Sequence, residues 1–225
     1  MTESVVTVKK DISRKFHKAT FENTSEERRA KIFKVAIEEF ASNGYNGANI
    51  NNIAKKAGIS IGSLYSYFAS KEDLFLAIVD NIYELLTSVI ADIDPHKSIF
   101  IFIENLLKAA RDYAIKWPEI NQIYIDLTTQ SVARFSGALS HKLEEITSIL
   151  YMKAIKSAKK NGEIREDIDD NVLAFLIDNM VSMYQFSFSS DYYKERIKIY
   201  LNTNNMEDDK VISYIVEVIK QGIKK

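Results

Sequence analysis

INNIAKKAGISIGSLYSYF, Ile50 to Phe68, is the stretch whose reading decides the fold. Gly58 divides it, because glycine accepts the left-handed backbone that a tight turn needs. Before the turn, Ile53, Ala54 and Ala57 recur at helical spacing. After it, Leu64 and Phe68 do the same, and Ser60 stands where a helix N-cap belongs. Ala54 is small at the place where a second helix would cross closely. Ile53, Ala57, Ile59, Leu64 and Phe68 supply apolar faces for the crossing. Two helices over so tight a turn make a helix-turn-helix, read here over Asn49–Phe68. The rival reading is a helical hairpin that merely packs, but it leaves the small residue, the turn glycine and the fresh cap as coincidences.

In such a unit the first turn of the second helix faces base edges in the major groove. Here that turn is Ser60, Ile61, Gly62 and Ser63. It has no Arg, Asn or Gln for bidentate base contacts. The expected readout is hydroxyl hydrogen bonding, apolar contact with thymine methyls and DNA shape. Tyr65 and Tyr67 are expected on the same side, with hydroxyls in reach of phosphate.

Working outward, Thr24 and Glu27 have capping-box spacing, and Ile32, Val35, Ala36 and Phe40 mark one helical face. Asn43-Gly44 should end that helix. Ser70 and Asp73 form another capping pair, opening a helix to about Ala91. Pro95 then separates this head from the rest. Ile99, Phe102, Ile103, Leu106, Ala110, Tyr113 and Ala114 keep helical spacing over four turns. Pro118 suits a first helical turn, and that helix is expected to reach Gln130. The next carries Leu139, Leu143, Ile146, Leu150 and Ala154 and ends at Asn161-Gly162. Two more should start near Asp169 and near Asn205. Two prolines and seven glycines in 225 residues agree with an all-α fold of about nine helices. The expected organisation is a basic tail (1–23), a helix-turn-helix head (24–91) and a helical body (95–225). The tail, with Lys9, Lys10, Arg14, Lys15 and Lys18, reads either as a frayed terminus or as an arm for DNA.

The motif also resembles the N-terminal signature of the TetR family of bacterial repressors. The resemblance rests on Gly44-Tyr45, Ile53-Ala54, Ala57-Gly58-Ile59-Ser60, Gly62, Leu64-Tyr65, Phe68 and Ser70-Lys71-Glu72-Asp73-Leu74, and covers about residues 26–86. It implies that Lys71 holds a phosphate, that Tyr65 and Tyr67 touch backbone or base, and that the helix start at Asn49 also meets phosphate. Where this chain has Ala48 and Asn49, the family commonly has hydroxyl residues. Where it has Tyr67, the family often has His.

A recognition helix reads few base pairs, so specific binding usually needs a two-fold dimer with heads ~34 Å apart on a palindromic operator. The apolar residues of the helices near 169–188 and 206–222 cover more than one face. Val172, Leu173, Phe175, Leu176, Ile177, Met180, Val181 and Met183 do so in the first, and Val211, Ile212, Ile215, Val216, Val218 and Ile219 in the second. One face should meet the core and the other a second copy. Phe102, Tyr113, Trp117, Tyr124, Phe175, Met180 and Met183 are candidates to line an apolar cavity, with Arg111 as a polar group. The resemblance implies a small-molecule inducer there, of unknown identity. An architectural or partner-binding protein without an inducer is the alternative.

Composition narrows the classes. Without cysteine there is no disulfide, thiolate metal site or cysteine nucleophile. His17, His96 and His141 are scattered, no glycine-rich phosphate loop occurs, and no enzyme, metal site or cofactor is expected. Residues 1–75 carry 12 Lys+Arg against 9 Asp+Glu, and the remainder 18 against 22, a mildly basic head on an acidic body. Purely apolar runs such as Ile99–Ile103 are short of the ~18 residues of a membrane span, and no secretory signal is evident. The expectation is a cytoplasmic protein with no membrane partner.

Overall fold

A computed structural model describes residues 15–127, 133–201 and 207–225, with side chains throughout except at 133–143. Eleven helices and no strand lie among the described residues. They are α1 (Ala19–Glu22), α2 (Glu26–Gly47), α3 (Ile50–Ala57), α4 (Ile61–Tyr67), α5 (Lys71–Ala91), α6 (Ile99–Lys116), α7 (Pro118–Leu127), α8 (Ala133–Lys160), α9 (Asp170–Phe186), α10 (Asp191–Leu201) and α11 (Asp208–Ile223). The all-α reading holds. The two helices beyond the expected nine are α1 and α10. Helix α10 buries none of its side chains, so no apolar stripe announces it.

Several helix ends differ from the sequence reading. The cap of α2 is Ser25, whose Oγ accepts from the Arg28 N–H at 3.3 Å; the hydroxyl of Thr24 instead donates to the Phe21 carbonyl. Gly44 does break α2, at φ 65°, and one further turn follows to Gly47. Helix α11 opens at Asp208 with Glu207 as N-cap. Asn205 and Gln130 lie outside the described residues, as do the side chains of Leu139, Leu143 and His141. Residues 15–23 are not a loose tail. Phe21 is buried, and its ring lies 4.8 Å from that of Phe68 and 5.3 Å from that of Phe33.

Two apolar cores organise the chain. The first gathers Ile32, Ala36 and Phe40 of α2, Ile53 and Ala57 of α3, Leu64 of α4, and Leu74, Phe75 and Ile78 of α5. It continues into Tyr113, Ile120 and Ile123, so α2 packs on α7 as well as on α3. The second gathers α6, α8, α9 and α11 around Phe102, Ile103, Leu107, Ile155, Ile177 and Ile212. Helix α6 is its centre and packs on α9 and α11. Helix α5, about 30 Å long at 1.5 Å per residue, links the two. It buries Leu74 to Ile82 in the first core and rests Ile90 against the second. By length and mean hydropathy (1.7), α5 could cross a membrane. In this fold most of its apolar residues pack into or against the two cores.

Candidate functional site

The helix-turn-helix is held by local chemistry from both ends. Asn49 caps α3: its Oδ1 accepts from the Asn51 N–H at 2.8 Å. Gly58 sits at φ 74°, ψ 33°, and the Ile59 N–H returns to the Ala54 carbonyl at 3.0 Å, closing the C-terminus of α3 in a Schellman turn. Ser60 caps α4 by accepting from the Ser63 N–H at 3.0 Å, and the Ser60 and Ser63 hydroxyls lie 2.9 Å apart. Ser70 caps α5 through the Asp73 N–H. Every element around the turn thus begins or ends on a named side chain or on glycine.

One buried charge fixes α3 to α2. Glu39 is only 3% exposed, on the apolar stripe of α2. Its carboxylate accepts from the Asn49 N–H at 3.2 Å, from the Asn52 amide, and from Lys56 Nζ at 3.2 Å. Burial pushes this carboxyl's pKa up, but these donors outweigh it and hold the group below the usual glutamate range. A satisfied buried carboxylate of this kind fixes orientation rather than adding much net stability.

The N-terminal segment holds the other end of the motif. The Lys18 N–H donates to the Tyr67 carbonyl at 2.8 Å, Lys18 Nζ to the Tyr65 carbonyl at 2.9 Å, and the Thr20 hydroxyl to the Ser66 carbonyl. These are last-turn carbonyls of α4, which have no partner inside their own helix. Lys18, Thr20 and Phe21 were missed as contributors to the site. The one sequence clue was a pair of aromatics, Phe16 and Phe21, in an otherwise polar stretch. Glu39 was also missed, although an acid on the stripe of Ile32, Val35, Ala36 and Phe40 was visible.

The expected DNA-contact residues separate into exposed and buried groups. Asn49, Ser60, Ile61, Gly62 and Tyr65 are exposed, with Ile61 at 42% and Tyr65 at 46%, and Ser63 is half-buried. Nothing inside the chain requires glycine at 62: an added Cβ would meet only the Ser60 hydroxyl, at 3.8 Å. Tyr67 is a correction. It is 8% exposed and packs on Phe21 at 5.6 Å, because a residue three after Leu64 falls on the same inward face of so short a helix. Lys71 Nζ donates to the Asn46 and Ala48 carbonyls at 3.2 and 2.7 Å and lies 5.1 Å from the Tyr45 ring centroid. It closes the loop between α2 and α3. Ala48 is buried, which explains a methyl where a hydroxyl was expected.

Residues 32–78 match the family described as bacterial regulatory proteins, tetR family. Relatives include the transcriptional repressor SCO4008 of Streptomyces coelicolor, 27% identical over 154 residues, which are 68% of this chain and 75% of the relative. The transcriptional regulator YvdT of Bacillus subtilis is 29% identical over 189 residues, 76% of this chain and 87% of that one. Among solved structures, a TetR family regulator from Chloroflexus aurantiacus superposes with a TM-score of 0.71 at 22% identity, over 93% of this chain and 99% of that one. The Bacillus subtilis regulator FadR in complex with stearoyl-CoA superposes at 0.65 and 18% identity, over 86% and 98%. The chain belongs to the TetR family. It is a DNA-binding transcriptional regulator.

The body of this TetR-family chain holds a cavity of about 90 Å³ among α5 to α9. Ile82, Leu86, Val89 and Ile90 of α5 form one wall. Tyr113, Tyr124, Tyr151, Glu144 and Asp178 line the rest together with Val181, Ser182 and Gln185. The Tyr124 hydroxyl donates to Glu144 at 2.8 Å. Burial, and then the charge of Glu144, push the pKa of Asp178 up to about 6, while a hydrogen bond from Tyr151 acts the other way. Burial also raises the pKa values of the Tyr113 and Tyr124 hydroxyls.

Of the expected cavity residues, the structure brings Tyr113 and Tyr124 to the lining. The others are corrections. Phe102 is buried behind Tyr151, ring edge to ring face at 6.0 Å. Arg111 turns away to Asp209 at 2.6 Å and Asp112 at 2.9 Å, carboxylates that raise its pKa further. Trp117 packs against Tyr113 and under Lys116, beside the first core. Phe175, Met180 and Met183 are 68%, 43% and 36% exposed. Helical phase is the reason. Asp178, Val181, Ser182 and Gln185 share one face at i, i+3, i+4 and i+7, whereas Val172, Phe175, Leu176, Met180 and Met183 share another.

Proposed function

We propose that the chain binds a palindromic operator as a homodimer, represses transcription from it, and is released by a small molecule held in the body cavity. The observation that carries this reading is the exposed first turn of α4. Ser60, Ile61, Gly62 and Tyr65 are exposed on a helix capped by Ser60 at its start and clamped by Lys18 at its end. This is the rigid presentation that direct readout of base edges needs. Lys71 supports the surface by holding the loop before α3, and a phosphate contact for it is part of the proposal.

The dimer reading is supported by the outer face of α9 together with α11. Val172, Phe175, Leu176, Met180 and Met183 are exposed on α9, and Tyr214 and Val218 on α11, while Leu173, Ile177, Ile212 and Ile219 face the core. Exposed apolar side chains in such number on two helices are unusual on a monomer. The same face on two copies would form an isologous four-helix contact.

Release follows from the position of α5. Its first half belongs to the head's core and its second half forms the cavity wall. A cavity of about 90 Å³ is smaller than the ~150 Å³ that admits a benzene ring. A larger ligand therefore has to displace α5 from α8 and α9. That displacement tilts the head and changes the spacing between the two recognition helices, which is a population shift between two packings. Reciprocity requires operator DNA to weaken ligand binding by the factor by which ligand weakens operator binding.

The test is selection of genomic DNA fragments by the purified protein, sequencing of the retained pool, and sedimentation of the complex. A shared inverted repeat bound by two chains is the expected result. Salt-sensitive retention without a shared sequence would reduce the chain to a non-specific or partner-binding role.

A further inference from the structure

The body cavity differs in chemistry from one built for an acyl or carboxylate ligand. Two carboxylates, Glu144 and Asp178, reach it from α8 and α9. Among the described residues that line it, none is basic. Three tyrosines, Tyr113, Tyr124 and Tyr151, line the same space. The wall from α5 is wholly aliphatic. Neighbouring anions at an apolar site repel each other, and the half-buried Asp178 also loses hydration; a single positive charge between it and Glu144 relieves both costs. Tyrosine faces attract a cation further, most strongly where water is excluded. An anionic group in the same place would add a third negative charge.

We infer that the cavity takes a lipophilic organic monocation, with the charged group between Glu144 and Asp178 and the hydrocarbon part against Ile82, Leu86, Val89 and Ile90. This rests on the reading that the cavity is the effector site, and it assigns that site's ligand class. FadR, the structural neighbour bound to stearoyl-CoA, carries a polyanionic thioester; this cavity is suited to the opposite charge.

The assignment carries a pH signature. Asp178 has its carboxyl pushed up to about 6 by burial and then by Glu144. The groups facing it are Glu144 and Tyr151 from α8, Tyr124 from α7, Tyr113 from α6, and Ser182 and Gln185 on its own helix; α5 contributes no titratable group. A permanent cation binds the ionised carboxylate, so affinity rises as pH climbs through about 6 and then levels off.

The experiment titrates the full chain with benzyltrimethylammonium, tetraphenylphosphonium and rhodamine 6G, each beside an anion and a neutral compound of similar size, from pH 5 to pH 8. The expected result is that at least one cation binds roughly tenfold or more tighter than its matched anion. That preference should grow with pH and be lost in Asp178→Asn and Glu144→Gln. The pH series on the unaltered chain stands even if either variant fails to fold. Tighter binding of anions or neutral compounds, blocked by Ala110→Phe, would overturn the cation assignment and leave the effector site in place. Binding of none of the nine compounds, with no effect on operator affinity, would overturn the cation assignment and count against the effector reading as well.

Discussion

The head and the body bury similar kinds of side chain and leave opposite things exposed. In the head, the helix ends around the turn are closed by Asn49, Gly58, Ser60, Ser70 and Lys18, and the one buried acid, Glu39, has a donor on each side. What remains outside is a small surface of Ser60, Ile61, Gly62 and Tyr65. In the body, α9 shows a full apolar stripe to the outside and turns Asp178 towards a cavity. A unit that must present a fixed surface to a ligand spends its polar groups on rigidity. A unit that must respond keeps a carboxylate poorly compensated and an apolar face unpaired, so that binding events have something to satisfy.

The comparison breaks most directly at the head's core. Phe75 is almost fully buried between Phe40 and Tyr45. Phe75→Ala should cost about 3–5 kcal/mol, read by thermal or urea denaturation. A cost below 1 kcal/mol would mean that the head is not packed as described. In the body, Phe175→Glu puts a charge in the exposed apolar stripe instead. It should leave the fold intact, yield monomers in sedimentation, and lower operator affinity by about a hundredfold or more through lost bivalency. Dimers that persist would move the interface elsewhere.

The buried Glu39 and the half-buried Asp178 should respond to pH in opposite senses. Glu39 is held below its ordinary range, so its stabilisation is present at neutral pH and is lost as pH falls through that lowered value. Glu39→Gln should cost about 1–3 kcal/mol at pH 7 and flatten the acid limb of the stability curve. Asp178, raised to about 6, destabilises the folded state increasingly as pH rises from about 4 to 6. Asp178→Asn should therefore stabilise the chain at pH 7, by about 1–3 kcal/mol, with little effect at pH 4. Parallel pH profiles for the two variants would contradict the contrast.

Much of the head was legible because its constraints are local. Gly58, the caps Asn49, Ser60 and Ser70, and the spacing from Ile53 to Phe68 are read within a few residues of one another. Tyr67 was misplaced because a seven-residue helix gives too short a pattern to phase one residue at its end. The clamp by Lys18 and Thr20 joins residues more than 40 apart in sequence, and the aromatic pair Phe16 and Phe21 is its one local sign. The body was legible as helices and as two-faced apolar stripes, but its cavity depends on how five helices meet. Arg111 and Trp117 looked like cavity groups from residue type alone, yet their partners, Asp209 and the first core, come from tertiary packing. The phase of α9 was available in the sequence and would have separated Asp178 from Met180.

The smallest effect on stability should come from Gly62. Gly62→Ala fits the chain and favours helix by about 0.5–1 kcal/mol, so it should raise thermal stability slightly while lowering operator affinity.

The most direct measurement is a binding titration of the unaltered chain, Tyr65→Ala and Gly62→Ala on a selected operator fragment and on random DNA, at one salt concentration. If α4 reads sequence, both variants lose roughly tenfold or more on the operator, change little on random DNA, and keep the unaltered chain's melting temperature or better. Equal binding of all three proteins to the operator would contradict the assignment of α4 as the recognition helix.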